Sequence, residues 1–166
     1  AASRAFLVME LLEGLNLRDE LKQKRRLEPA RTLDILRGVC SAVEAGHRRD
    51  LLHRDLKPEN IFLARTENGE VSKVLDFGVA KFISASAVTQ SMTATGVGQL
   101  VGTLRYMSPE QLRGEPASTH WDLWSLAVVS YEMLTGAYPF EGETTAEWHN
   151  AVQAGRFTPV SKHLPQ

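Results

Sequence analysis

The chain has 166 residues, 43% hydrophobic and 23% charged, which is typical of one soluble globular domain with its own core. Its formal net charge of -1 argues against the concentrated basic surface of a nucleic-acid-binding protein, and its single cysteine argues against a disulfide-stapled secreted domain. No apolar run is long enough for a transmembrane helix. We therefore expect a cytoplasmic protein without nucleic-acid partners, while a membrane anchor beyond residue 166 stays open.

A strand and two helices are predicted first. Residues 5–9 form an apolar, strand-like run, and both ends of the chain read as cuts within a longer protein. Asn16, with Asp19 three residues later, is close to a capping box that starts a helix. Pro29 suits the first turn of the next helix. The apolar residues of that helix recur at helical spacing and predict a buried face that includes a buried thiol. They are Leu33, Leu36, Cys40 and Val43.

A β-hairpin is predicted in the middle of the chain. Residues 61–63 and 71–75 read as strands, and Asn68-Gly69 between them is a strong hairpin-turn signal. Folding the chain about this turn places residue 60 opposite residue 76 or 77. The side chains of Asn60 and Asp76 would then lie at the open end of the hairpin, where an amide oxygen and a carboxylate suit magnesium.

The second half of the chain is predicted to be a loop followed by helices. Residues 84–102 are rich in Ser, Thr, Ala and Gly without periodicity, so we expect a loop. Residues 122–135 are apolar nearly all round, which predicts a buried helix that ends at Gly136. Thr144 and Glu147 have the spacing of a capping box for a last helix.

The most informative segments are two short motifs in a fixed order. Residues 53–60 read His-Arg-Asp-Leu-Lys-Pro-Glu-Asn, and residues 76–78 read Asp-Phe-Gly. Together they supply a candidate base, a candidate phosphate-binding lysine and two candidate magnesium ligands. One short motif matches easily by chance, whereas two in order at a workable spacing do not.

With these motifs the chain resembles the serine/threonine branch of the eukaryotic-type (Hanks-type) protein kinases, most closely its bacterial members. The resemblance runs from Phe6 to about Phe157 and includes the Tyr-Met-Ser-Pro-Glu run at 106–110 and the Asp-Leu-Trp-Ser run at 122–125. It implies an α+β fold, namely a mostly helical kinase C-lobe with a small β-hairpin that carries the catalytic and metal loops. The N-lobe would be absent from this chain.

The resemblance implies roles in phosphate transfer for five residues. Asp55 would accept the proton of the substrate hydroxyl, and Lys57 would neutralise charge on the transferring phosphate. A lysine at this place is typical of Ser/Thr specificity. Thr103 would contact both residues in the active form. Asn60 and Asp76 would hold Mg²⁺, with Mn²⁺ as a possible substitute.

The resemblance also implies an ATP site near the start of the chain, at the hinge between the two lobes. Met9 would guard the rear of the adenine pocket, and the backbone of Glu10 and Leu12 would hydrogen-bond the adenine. Asn16 would reach the ribose, and Phe62 would form part of the pocket floor.

A regulatory loop is implied after the metal motif. Gly78 would let the backbone swing beside Phe77, because glycine tolerates positive φ. Arg54 would pair with a phosphate on the loop at 84–103. The candidate phosphorylation sites are Ser84, Ser86, Thr89, Ser91, Thr93 and Thr95.

The sequence also departs from the family pattern. A Gly-rich loop and a strand lysine normally precede the hinge, and neither is found here. Glu110 would lack its usual arginine partner. We therefore expect residues 1–166 to be a partial catalytic domain, with 1–15 as the strand end and hinge and 16–166 as a truncated C-lobe. Such a piece would by itself be inactive toward protein substrates.

Alternatives from other classes stay open at this point. A pseudokinase or interaction scaffold would keep the lobe without the activity, although it has no physical need for the four intact motif residues. His53 is interpreted as structural. Asp122 could cap a helix, while the resemblance implies that it braces the backbone near His53 and Arg54, and the two roles are compatible. The histidines show no zinc-ligand spacing, so we predict no structural zinc.

Overall fold

The structure, a computed structural model, describes residues 8–77 and 104–164. About half of these residues are helical and one three-stranded antiparallel sheet accompanies them, which agrees with the predicted α+β class. The strands are β1 Gly14–Asn16, β2 Ile61–Thr66 and β3 Gly69–Val74. The helices are α1 Leu17–Lys24, α2 Pro29–His47, α3 Pro109–Leu112, α4 Thr119–Thr135 and α5 Thr145–Gln153. Short 3₁₀ turns cover Pro58–Asn60 and Val160–Lys162.

Helix α1 begins where the sequence predicts. The Asn16 side chain accepts a hydrogen bond from the Asp19 amide at 2.9 Å, which satisfies one of the donors left open at a helix start. Acidic residues lie in the first turn and basic residues in the last, complementing the helix dipole. The predicted strand at 5–9 falls mainly outside the described residues, and Val8 and Met9 have no regular structure.

Helix α2 begins at Pro29 as predicted, and its predicted buried face is half right: Val43 is buried and Leu36 packs half-buried against the core, but the other two residues are not buried. Leu33 is 50% exposed and Cys40 is exposed. The buried residues are Thr32, Ile35, Val39 and Val43. The helix is rotated by about one residue from the predicted stripe because it packs closely on β3: a Cβ built on Gly38 would lie 2.9 Å from Ser72 Cβ.

The hairpin forms, with a register that differs from the prediction. Thr66 pairs with Gly69, so the two turn residues are Glu67 and Asn68 rather than Asn68 and Gly69. The Thr66 hydroxyl donates to the Gly69 carbonyl at 2.7 Å, which stabilises this turn. Asn60 consequently lies opposite Leu75, with the Leu75 amide donating to its carbonyl at 2.8 Å. The predicted opposition of residue 60 to 76 or 77 is therefore wrong by one or two residues.

Strand β1, which the sequence did not predict, closes the sheet beside β2. A Cβ built on Gly14 would lie 2.0 Å from the Leu63 carbonyl oxygen, and Gly14 has a φ of +145°. Only glycine permits this approach of two backbones. β1 thereby connects the segment at 8–13 to the hairpin.

Helix α4 forms and ends at Gly136, which takes a left-handed φ of 71° as predicted. Its complete burial is wrongly predicted, since Leu123 is 54% exposed and Ala127 is exposed. Asp122 and Glu132 are buried instead. Their side chains accept hydrogen bonds from other elements, which compensates for their desolvation.

The core of the described part of the chain consists of two hydrophobic clusters. The larger contains side chains from α1, α2, the sheet and α4, and the smaller surrounds α5. Trp148 is buried in the smaller cluster, while Trp124 stacks on Phe140 with ring centroids 5.5 Å apart. Thr144 caps α5 by accepting from the Glu147 amide at 3.2 Å, as predicted. No described helix is both long and apolar enough to cross a membrane.

Candidate active site

The segment between α2 and β2 carries the motif at 53–60, and a single buried carboxylate on α4 holds it. Asp122 is fully buried and accepts the backbone amides of His53 at 2.9 Å and Arg54 at 2.8 Å. His47 Nε2 lies 2.7 Å from the same carboxylate. Asp122 sits in the first turn of α4 whereas Ser118 is the N-cap, so the bracing interpretation is confirmed and the capping one is wrong.

His53 is an internal support of the segment. It is fully buried, and its Nε2 lies 2.7 Å from the Leu75 carbonyl oxygen while its Nδ1 accepts from the Asp55 amide at 3.3 Å. Both contacts are satisfied by the neutral tautomer protonated at Nε2. The ring also makes an edge contact with Phe77 at 5.1 Å between centroids. His53 thus ties the predicted catalytic segment, residues 53–60, to the chain leaving β3.

Three predicted catalytic residues converge at the end of this segment. Lys57 Nζ lies 2.8 Å from Asp55 Oδ2. Asn60 Nδ2 donates to the Asp55 carbonyl at 2.8 Å and lies 3.4 Å from Asp55 Oδ2. The Asp55 side chain is 29% exposed, so a solute hydroxyl can reach it. A carboxylate beside an ammonium and an amide can orient a hydroxyl and stabilise added negative charge.

The two predicted metal ligands lie on neighbouring strand ends. Asn60 uses its Nδ2 toward Asp55, which leaves its amide oxygen as the atom available to a cation. Asp76 directly follows Leu75, the residue bonded to the Asn60 backbone, and is exposed with a φ of 58°. Amide and carboxylate oxygens are a donor set that fits a hard divalent cation. Across residues 8–77 and 104–164, no cluster of three or more His, Cys, Asp or Glu could hold a metal.

One face of the sheet brings together several residues predicted to bind the nucleotide. Asn16 pairs with Phe62 across β1 and β2, and Phe62 pairs with Lys73 across β2 and β3, so the three side chains share a face. Lys73 Nζ donates to the Glu10 carboxylate at 2.5 Å, which holds residues 8–13 near this face. The side-chain amide of Asn16 also donates to Asp19 at 2.9 Å.

The remaining predicted residues of this region differ in exposure. Met9 is 70% exposed and Leu12 is half-buried. Gly78, Thr103 and the six predicted phosphorylation sites, Ser84, Ser86, Thr89, Ser91, Thr93 and Thr95, lie outside the described residues.

Arg54 adopts a strained backbone conformation with a φ of 69°. Its amide donates to Asp122, and its carbonyl accepts from Gln111 Nε2 at 3.0 Å. Its buried Nε has no hydrogen-bond partner among the described residues. A guanidinium nitrogen in that state favours an anionic partner, which would lower its desolvation cost.

Glu110, predicted to lack its arginine partner, has a carboxyl group of which one oxygen is without a partner among the described residues. Oε2 is buried without a hydrogen-bond partner among the described residues. The backbone amide of Glu110 and the Ser108 hydroxyl nevertheless hold the pKa of this carboxyl below its usual value. Ser108 also caps α3 by accepting from the Gln111 amide at 3.1 Å.

Sequence reasoning missed several residues of the site. His47 and Gln111 support the backbone of the catalytic segment, and no short motif marks them. Gly46 makes room for Phe77, since a Cβ at position 46 would lie 2.7 Å from the Phe77 ring. No signal in the sequence marked Gly46 for this role, because a glycine in the last turn of a helix is common for local reasons.

The comparisons with known proteins agree with these motifs. The protein kinase domain family matches residues 1–164. A probable serine/threonine-protein kinase of Streptomyces coelicolor is 42% identical over 139 residues, covering 84% of this chain and 20% of the relative. Serine/threonine-protein kinase PknL of Mycobacterium tuberculosis is 42% identical over 139 residues, covering 84% and 33% respectively.

A third relative, serine/threonine-protein kinase pkn2 of Myxococcus xanthus, is 37% identical over 142 residues, covering 86% of this chain and 17% of the relative. The chain thus spans between 17% and 33% of the length of these three relatives. The family match covers nearly the whole sequence, and the resemblance predicted from the motifs is confirmed: the chain belongs to the protein kinase domain family.

Proposed function

We propose that this chain is part of a serine/threonine protein kinase that transfers the γ-phosphoryl group of ATP to Ser and Thr hydroxyls of proteins. The observation that carries the proposal is the convergence of Lys57 and Asn60 on Asp55, at 2.8 Å in each case. These residue types in this arrangement suit phosphoryl transfer, where positioning and charge stabilisation dominate. The relatives named above, two named as serine/threonine-protein kinases and one as a probable one, support the same reaction.

In this proposal Asp55 orients the substrate hydroxyl and accepts its proton, and Lys57 offsets the charge of the transferring phosphoryl group. The partial exposure of the Asp55 side chain, 29%, supports access by a protein substrate. Thr103, outside the described residues, would contact both side chains.

Asn60 and Asp76 would hold a divalent cation, Mg²⁺ by preference and Mn²⁺ as an alternative. The oxygen chemistry of the two side chains supports this assignment. When bound, the cation would neutralise phosphate charge and fix the phosphate orientation. Phosphate oxygens would supply further ligands, since two protein side chains do not complete an octahedral shell.

The face of the sheet that carries Asn16, Phe62 and Lys73 would accept the nucleoside of ATP. Phe62 offers an apolar surface for the base, and Asn16 lies directly across from it, near the ribose. The backbone of Glu10 and Leu12 would hydrogen-bond the adenine, with Met9 at the rear of the pocket. The ion pair between Glu10 and Lys73 supports a fixed position for this segment.

We further propose that residues 1–15 are the end of an N-lobe strand and the hinge, and that residues 16–166 are a truncated C-lobe. The Gly-rich loop and the strand lysine that the reaction requires are not within this sequence, so the chain alone would transfer phosphate poorly or not at all. Arg54, Phe77 and Gly78 would respond to phosphorylation at 84–95. Cytoplasmic location stays a prediction.

The test is phosphate transfer from Mg-ATP to Ser/Thr peptides by the full-length protein that contains this sequence. Asp55→Asn should lower kcat by several orders of magnitude, because the oriented carboxylate is lost. Asp50→Asn is the matched control: Asp50 is exposed, lies near the same segment and has a φ of 57°, which asparagine tolerates.

An inactive parent would reject the proposal if the protein is folded and its loop has been phosphorylated. That result would favour a pseudokinase or interaction scaffold that retains the lobe. Equal activity of the parent and Asp55→Asn would remove Asp55 from the proposed role.

A further inference from the structure

One arginine on α1 connects elements that are distant in sequence. Arg18 Nε donates to Glu59 Oε1 at 2.8 Å, and Nη1 donates to Glu132 Oε1 at 2.6 Å. Nη2 donates to the phenol oxygen of Tyr106, and Tyr106 in turn donates to Glu132 Oε2 at 2.5 Å. The guanidinium therefore joins α1 to the catalytic segment, to α4 and to the chain before α3.

The cluster has a buried end and a solvent-exposed end. The side chains of Arg18 and Glu132 are 17% and 7% exposed, while that of Glu59 is 44% exposed. Burial alone would lower the pKa of Arg18, but hydrogen bonds and charge from Glu132, Tyr106 and Glu59 raise it above its usual value. Burial and the Glu132 charge raise the pKa of Tyr106. The cluster is thus a charged guanidinium held by two carboxylates and a neutral phenol.

The exposed end of the cluster lies inside the candidate active site. Glu59 is the middle residue of the 3₁₀ turn Pro58–Asn60, which follows Lys57 directly. The Asn60 amide donates to the Lys57 carbonyl at 2.9 Å, so this turn fixes the backbone of both residues. A tether at Glu59 consequently restrains the turn from which the Lys57 and Asn60 side chains reach Asp55.

We infer that Arg18 is a positioning residue: it fixes the turn carrying Lys57 and Asn60 by linking Glu59 to the buried carboxylate of Glu132. The effect of this positioning on catalysis rests on the proposed function. A guanidinium suits the task because its planar fork can bond two carboxylates at once, whereas an ammonium is a compact point charge.

The kinetic test uses Glu59→Ala, Arg18→Lys and their combination in the full-length protein. Arg18→Lys keeps a cation beside Glu132, which limits the loss of folding stability. We expect each single variant to lower kcat about 3- to 10-fold, with the KM for ATP changed less than about twofold. The double variant should be no worse than the poorer single variant, because both changes cut one tether.

The exposed ion pair of Glu44 and Arg48, at the C-terminal end of α2, supplies the control. Glu44→Gln and Arg48→Lys alter an ion pair whose side chains are 61% and 72% exposed, and they should leave kcat unchanged. An unchanged kcat in Glu59→Ala, or independent losses that multiply in the double variant, would overturn the inference as a contribution to catalysis.

Amide hydrogen exchange tests the same tether without any activity. Both single variants should speed exchange in a peptide covering residues 55–61 by about fivefold or more, and the Glu44→Gln control should not. Parent-like exchange in both variants would overturn the inference. If the parent transfers no phosphate, the proposed function fails while the exchange result still decides whether Arg18 positions this turn.

Discussion

Replacing Asp122 with asparagine should loosen the catalytic segment while keeping the shape of the side chain. The carboxylate accepts two backbone amides and lies within hydrogen-bond distance of His47. If the new amino group stands at Oδ1, the Arg54 amide loses its acceptor. If it stands at Oδ2, it opposes the amide of His53 and disturbs the contact with His47. The first orientation costs less and still removes one hydrogen bond to a charged group.

The size of the effect follows from that single bond. A hydrogen bond to a charged group contributes about 1.5–3 kcal/mol, so the free energy of unfolding should fall by about that amount. For an unfolding domain of about this chain's size, Tm should fall by about 3–10 °C. Arg54 holds a φ of 69° only while its surroundings enforce it, so the segment should relax there. If all of the lost energy appears in the transition state, kcat falls about 10- to 100-fold.

The assay combines thermal unfolding with phosphate transfer from Mg-ATP in the full-length protein. Asp34→Asn is the matched control, because the Asp34 side chain is 67% exposed and makes only a long contact of 3.5 Å with Arg37. An Asp122→Asn variant with a Tm within about 1 °C of the parent and a kcat within about twofold would refute this account of the carboxylate.

Three further changes test the fold around the site by denaturant unfolding. Gly14→Ala should cost about 1–3 kcal/mol or more, since its Cβ would lie 2.0 Å from the Leu63 carbonyl oxygen; parent-like stability would contradict the close approach of β1. Thr144→Ala should cost about 1 kcal/mol through loss of the α5 cap, and no loss would mean that the cap contributes nothing. Burial raises the pKa of Glu20, but Arg31 and Lys24 together outweigh burial, so the pKa lies below the ordinary 4.5. Glu20 therefore stabilises the fold above that pH, and the deficit of Glu20→Gln at pH 7 should vanish as the pH falls through the folded-state pKa; a deficit unchanged at about pH 3 would refute it.

Local features of the fold were predictable because they depend on neighbouring residues. The cap at Asn16, the start of α2 at Pro29 and the left-handed end of α4 at Gly136 each involve a bond or a dihedral within one turn of chain. The buried face of α2 was not predictable in the same way. Two apolar stripes overlap on that helix, and packing against β3 and α4 selected the one containing Ile35 and Val39.

The sequence by itself determined the family and the order of the chemical groups, because the motif at 53–60 fixes residue types at short spacing. Only the tertiary structure decided what holds those groups in place. His47 and Asp122 are 75 residues apart, and Arg18 and Glu132 are 114 apart, yet each pair is in hydrogen-bond contact. Such contacts arise when α1, α2 and α4 pack around one core, and no local spacing in the chain encodes them.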